Sequence, residues 1–131
     1  MKELSVLVVD DDDKLRDLLP LMLEPVGHTV TCARDGAEAV RMLDRQNFDL
    51  VITDIMMPEM DGIELIPKIR TRQPATRIVA VSGGGKFFTT TICLQIAKTL
   101  GAHAVVMKPF NRDQLLAGIN LAFPNPGLAS S

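Results

Sequence analysis

The residues with most to offer chemically are acids, a hydroxyl and an amine set far apart in the chain: the run Asp10-Asp11-Asp12-Asp13, then Asp54, Ser82 and Lys108. Each ends or directly follows a short apolar segment, namely Ser5–Val9, Leu50–Thr53, Ile78–Ser82 and Ala104–Met107. If those segments lie side by side, at least three carboxylates gather at one rim. A like-charged pair about 4 Å apart is repelled by around 4 kcal/mol at an effective dielectric near 20, so something positive must compensate. Carboxylate and carbonyl oxygens are hard donors that suit Mg²⁺, which keeps several waters and takes one or two protein carboxylates beside a phosphate. Lys108 supplies a second positive charge. Such a site suits phosphoryl transfer, in which the protein positions the groups and neutralises charge on the transferred oxygens. A carboxylate within it can also be the nucleophile, giving an acyl phosphate.

The elements that must position these groups read as alternating strands and helices, the pattern of βαβ units around a parallel sheet. Ser5–Val9 is apolar on both faces, as a central parallel strand covered on both sides must be. Leu15, Leu18, Leu19, Met22 and Leu23 follow at helical spacing on one stripe, with Pro20 expected to interrupt and kink that helix. The second unit is Gly27 to Ala33 as a strand, Asp35-Gly36 as a turn, and Ala37 to Arg45 as a helix carrying Val40 and Leu43. The third is the strand Leu50–Thr53, closed by Asp54. A loop through Pro58 and Asp61-Gly62 leads to a helix marked by Ile63, Ile66 and Ile69, with Pro67 a second expected kink. Ile78–Ser82 precedes three glycines and a helix carrying Ile92, Cys93, Ile96, Ala97 and Leu100, which Gly101 should terminate. Ala104–Met107 then leads through Lys108-Pro109-Phe110 to Asn111, a cap for a last helix with Leu115, Leu116 and Ile119 inward. Residues 124–131 carry Pro, Gly, Ser and Asn without periodicity and read as a tail or linker remnant, leaving 1–123 as one domain. Sheets of this kind place their crevice at the carboxyl ends of the strands, where the polar residues named above stand.

Composition narrows the function. The 131 residues suffice for one domain with its own core, without disulfide or structural metal. Sixteen acids against fourteen bases, a net charge of −2 and a pI near 5.6 argue against direct nucleic-acid binding. Cys32 and Cys93 lie in unrelated apolar segments and read as small buried thiols of a cytoplasmic protein. The first apolar run is too short for a signal sequence or a membrane span, so no membrane partner is expected.

With Val8-Val9-Asp10-Asp11, Asp54 at the end of an apolar strand, Met56-Met57-Pro58, Asp61-Gly62, Ser82 and Lys108-Pro109-Phe110, the chain resembles the response-regulator receiver domain of bacterial two-component signalling. The resemblance covers Leu4 to Phe123. It implies a single doubly wound α/β fold, (βα)₅ and flavodoxin-like, with a five-stranded parallel sheet in the order 2-1-3-4-5. It also implies that Asp54 takes a phosphoryl group from a histidine kinase or histidine phosphotransfer protein and that the change switches binding to an output protein. No external turnover substrate is expected. By the same resemblance, Asp10, Asp11, Asp54 and the Met56 backbone carbonyl hold Mg²⁺, Ser82 and Lys108 contact the phosphoryl oxygens, and Gly83 leaves them room. The Lys108-Pro109 bond is a candidate for cis. Asp12 and Asp13 are expected to be solvated acids of the first helical turn.

Two departures stand out. Many receivers carry an aromatic residue three positions before the lysine, whereas here it is Val105. The segment Gly83-Gly84-Gly85-Lys86-Phe87-Phe88 is also longer than usual, and its ordering through Ser82 is expected to take over part of the switching. Other signals come to less. Gly83-Gly84-Gly85-Lys86 lacks the spacing and the Ser or Thr of a nucleotide phosphate loop. His28 and His103 have no ligand-spaced companions and suit surface or strand-end polar roles. Met56, Met57 and Met60 fit a partner surface or plain loop packing. A competing reading, a haloacid-dehalogenase-like phosphatase using Asp10 and Asp12, meets Lys14 where that family wants Thr or Val. A flavodoxin-like electron carrier would want Trp or Tyr beside its flavin, and the chain has neither.

Overall fold

In the computed structural model, residues 3–55, 62–82 and 90–123 are described. They form β1 (Ser5–Val9), α1 (Asp13–Leu23), a 3₁₀ turn (Glu24–Val26), β2 (Thr29–Ala33), α2 (Gly36–Leu43), β3 (Leu50–Asp54), α3 (Gly62–Arg72), β4 (Arg77–Ser82), α4 (Thr90–Leu100), β5 (Ala104–Met107) and α5 (Arg112–Ala122). The strands make one parallel sheet in the order β2-β1-β3-β4-β5, as the resemblance implies.

Both faces of the sheet are apolar because the inner strands alternate between two cores. Val6, Val8, Leu50, Ile52, Val79 and Val81 face Leu19 and Leu23 of α1 and Leu115 and Ile119 of α5. Leu7, Val9, Val51 and Ile78 face Ala39 and Leu43 of α2 and Leu65, Ile66 and Ile69 of α3. A smaller patch, Ile55, Ala80 and Ala97, seats α4, with half-buried Val105 against it. Gly118 lets α5 lie close on β5, since a Cβ there would collide with Val106 Cγ2.

Several local expectations need correction. Helix α1 runs unbroken through Pro20. Proline has no N–H to give the carbonyl four residues back, and that carbonyl, on Arg16, instead receives the Cys32 thiol of β2 at 3.5 Å. Pro67 lies inside α3, within the helix as the sequence placed it. The α1 stripe is narrower than its spacing indicated: Leu19 and Leu23 are buried, but Leu18 is 40% exposed, as is Ile63 of α3. Strand β2 begins at Thr29 rather than Gly27, because Gly27 has φ +101° and closes the 3₁₀ turn. Helix α2 starts at Gly36, capped by Asp35, and ends at Leu43. Strand β4 takes in Arg77 and β3 takes in Asp54. Gly101, at φ +110°, terminates α4 as expected, and Asn111 caps α5 in a reciprocal capping box with Gln114. Cys32 is half-buried and its thiol pKa is pushed up by burial, which keeps it protonated as a donor. The Cys93 side chain lies outside the described set.

The end of the sheet opposite the strand-end acids is tied by polar side chains. His28, just before β2, accepts the Leu4 N–H at Nδ1 (3.1 Å), and His103, just before β5, accepts the Ile78 N–H at Nδ1 (2.9 Å). Each imidazole thus joins an edge strand to the start of its inner neighbour. His28 is buried rather than on the surface, so of the two expected roles the strand-end one holds. Gln73, also buried, accepts from the Phe48 N–H (2.9 Å) and the Thr76 hydroxyl (2.9 Å) and donates to the Leu43 (2.8 Å) and Gln46 (2.8 Å) carbonyls.

Gln73→Ala would leave several buried polar groups unpaired at once and is expected to destabilise the fold by about 3 kcal/mol in urea titration. Burial lowers both imidazole pKa values. The stability this gives is present above about pH 6.5 and is lost as pH falls through the folded values, because the unfolded chain takes up those protons first. Thermal midpoints should therefore fall on acidification below about pH 6.5, with a shallower slope in the His28→Gln, His103→Gln double variant.

Candidate functional site

Sheet order brings the polar strand ends together. Strands β1 and β3 are neighbours with Val9 opposite Thr53, so Asp10 and Asp54 emerge side by side. Ser82 ends β4, beside β3, and its carbonyl accepts the Lys108 N–H at 2.8 Å. Lys108 follows β5, two strands from Asp54, about 10 Å at the usual strand spacing. Its long stem closes that gap. The ammonium lies 2.6 Å from Asp54 Oδ2 and 3.4 Å from Asp10 Oδ2. Lys108-Pro109 is cis.

Asp10, Asp54 and Ser82 are buried, and the Lys108 side chain is 24% exposed. Burial raises the Asp10 carboxyl above its usual range and the Asp54 charge adds to this, while the Asp12 N–H (2.8 Å from Asp10 Oδ1) and Lys108 pull the other way. For Lys108 burial is the largest single influence and is downward. The hydrogen bond and charge of Asp54, with Asp10, outweigh it, so its pKa rises. Lys108 is therefore a firm ammonium at neutral pH. The stability of its pairing is present below the ordinary lysine value and is lost as pH rises through the folded one.

Asp10, Asp11 and Asp54 each offer a carboxylate oxygen, all within 4.8 Å of one another. Asp11 is exposed and the other two are buried, so the cluster opens to solvent at one side. Three formal negative charges facing one ammonium leave an excess of two, which a divalent cation matches. An all-oxygen donor set suits a hard cation. These residues could thus hold a metal ion, and the register that starts at Asp10 rather than Asp11 is the one that faces Asp54. Asp12 instead caps α1, its carboxylate accepting the Lys14 N–H at 2.9 Å, and Asp13 is the first helical residue.

The structure brings together Asp10, Asp11, Asp54, Ser82 and Lys108 among the residues singled out from sequence. Met56, Gly83, Phe87 and Phe88, and with them the expected metal carbonyl and glycine-rich switch segment, lie outside the described residues. Val105 and exposed Pro109 flank the site along β5 and its exit. The sequence reading missed Arg16, whose Nη1 donates to the Asp10 carbonyl at 2.8 Å and whose other terminal nitrogen pairs with Asp13. A cation three residues after a first-turn acid was the available signal.

A sequence profile of the response regulator receiver domain matches residues 6–120. The chain is 35% identical over 119 residues to the transcriptional regulatory protein GlrR of Escherichia coli strain K12, covering 91% of this chain and 26% of GlrR. It is 35% identical over 115 residues to the CAI-1 autoinducer sensor kinase/phosphatase CqsS of Vibrio cholerae, covering 87% of this chain and 16% of CqsS. The chain thus spans about a quarter or less of the length of these relatives. The solved structure of the chemotaxis response regulator CheY4 of Vibrio cholerae matches with a TM-score of 0.82 at 30% identity, covering 92% of this chain and 99% of that one. Nothing in the geometry or these comparisons supports the phosphatase reading through Asp10 and Asp12. Profile, relatives and sheet topology agree with the strand-end residues, and the chain belongs to the response-regulator receiver family.

Proposed function

We propose that this receiver takes a phosphoryl group on a carboxylate oxygen of Asp54 and acts as a phosphorylation-dependent switch. The observation that carries the reading is the Lys108 ammonium bridging Asp54 and Asp10 beside a three-carboxylate cluster. Receiver domains take phosphate from histidine kinases, so the donor is the phosphohistidine of a kinase or of a histidine phosphotransfer protein. The new O–P bond forms at Asp54 as the donor's N–P bond breaks. Asp10, Asp11 and Asp54, with the Met56 backbone carbonyl, would hold Mg²⁺. When bound, Mg²⁺ supplies neutralisation and orientation of the phosphoryl oxygens. Lys108 meets the charge that spreads onto those oxygens, and the Ser82 hydroxyl donates to one of them. Phosphorylation replaces the single carboxylate charge of Asp54 with a phosphoryl group carrying nearly two, a net gain of about one negative charge beside Lys108 and Ser82. Gly83 and Pro109, next to those two residues in the chain, and Val105, three residues before Lys108 on β5, are the positions through which the change passes to an output partner. The domain extends to residue 123, with 124–131 as tail or linker. Its role is binding and transfer rather than turnover of an external substrate, in the cytoplasm, without membrane or direct nucleic-acid partners. Among the described residues no helix is long and apolar enough to cross a membrane.

Acetyl phosphate with Mg²⁺ should label the wild-type chain at Asp54, as read by peptide mass spectrometry, and Asp54→Asn should take up no label. Modification of Asp10 instead would support the phosphatase chemistry and defeat the receiver mechanism. Lys108→Ala is expected to slow labelling by about 100-fold while leaving Asp54 the labelled residue.

A further inference from the structure

Among the described residues, two cationic side chains reach the four-aspartate run at ion-pair distance: Lys108 on Asp10 and Arg16 on Asp13. Lys108 belongs to the site already described. Arg16 acts from the other side, through a forked guanidinium whose side chain is 16% exposed. One prong donates to the Asp10 backbone carbonyl at 2.8 Å, directly after β1, and the other pairs with the carboxylate of Asp13, the first residue of α1. The fork therefore spans Asp11 and Asp12, closing the strand-to-helix turn into a ring. Shorter bonds subdivide the ring: the Asp12 N–H to Asp10 Oδ1 (2.8 Å) and the Lys14 N–H to Asp12 Oδ1 (2.9 Å).

Arg16 is itself held before its side chain reaches out. Its N–H donates to the Asp12 carbonyl at 3.1 Å, and its carbonyl, left open by Pro20, receives the Cys32 thiol. By bridging the two ends of the turn, Arg16 offsets part of the repulsion among its four consecutive carboxylates. Asp11 sits mid-turn and exposed, and no described hydrogen bond to its own carboxylate fixes it, so its direction depends on the backbone of that turn.

We propose that Arg16 is a positioning residue: its fork fixes the Asp10–Asp13 turn so that the Asp10 and Asp11 carboxylates face Asp54 in the arrangement that takes a divalent cation. The inference rests on the metal reading above and goes beyond it by assigning the group that shapes the site. The sign of the effect separates it from bulk electrostatics. Removing a positive charge near a divalent site tightens cation binding if charge alone matters, whereas losing the fork loosens it.

The test is isothermal calorimetry of Mg²⁺ binding to the full chain, which has no Trp or Tyr to report by fluorescence, at a temperature where every variant is folded by circular dichroism. Arg16→Gln and Arg16→Lys are each expected to weaken Mg²⁺ about tenfold, in the range seen when groups orienting metal ligands are removed. Lysine keeps the charge but cannot reach both partners, so a loss in Arg16→Lys isolates the fork, and this variant decides the matter if Arg16→Gln does not fold. Affinity unchanged or tighter in Arg16→Gln, or restored to wild type in Arg16→Lys, overturns the inference. Wild-type protein that shows no saturable Mg²⁺ binding, or an Asp11→Asn variant that binds as wild type does, overturns the metal reading itself.

Discussion

Repulsion among carboxylates is the constraint around which this end of the molecule is organised. Asp10 and Asp54 leave adjacent strands side by side and Asp11 joins them, so the turn after β1 and the end of β3 are held in proximity against their charge. The Lys108 ammonium relieves part of it, crossing the strand that carries Ser82 to touch both buried acids. What it leaves is an excess of two formal charges, which the proposed divalent cation would match. The proposed function draws on an electrostatic imbalance that the fold maintains rather than removes.

A sheet buried on both faces makes that maintenance possible. Alternating Val, Ile and Leu on β1, β3 and β4 engage α1 and α5 on one side and α2 and α3 on the other, so the strands cannot splay to separate the charges. Polar ties cluster at the opposite end, where His28 and His103 bind the edge strands and Gln73 joins the loops around α2 and α3. The rim with the candidate site thus gathers carboxylates around one ammonium, while at the far rim imidazole and amide side chains, with the Asp49 carboxylate accepting the Ser5 N–H, tie the strand starts.

Much of the molecule was legible in the residues alone. Short continuous apolar runs mark the inner strands and period-3.6 stripes mark the helices, and Asn111 and Gly101 mark helix boundaries through their own chemistry. The misreadings share a cause. Pro20 looked like a break because its missing N–H is a local fact, while its remedy, the Cys32 thiol, comes from β2. Leu18 and Ile63 looked like core because spacing gives a stripe without giving its width, which depends on how neighbouring elements lie. Arg16 went unremarked because nothing in its neighbourhood in sequence shows that its fork closes on a backbone carbonyl.

By itself the order of residues determined that four of the five strands would each deliver a polar group to one rim, since strand identity and strand ends are written in local apolar patterning and turn chemistry. It also determined which chemical types would meet there: acids, a hydroxyl and an amine. Tertiary structure alone decided that Lys108 reaches Asp54 at 2.6 Å as well as Asp10, that Asp12 turns away to cap α1 while Asp11 turns in, and that two histidines clasp the far rim. Those outcomes depend on strand order, register and side-chain reach across the sheet, quantities that link residues dozens of positions apart and that no local window contains.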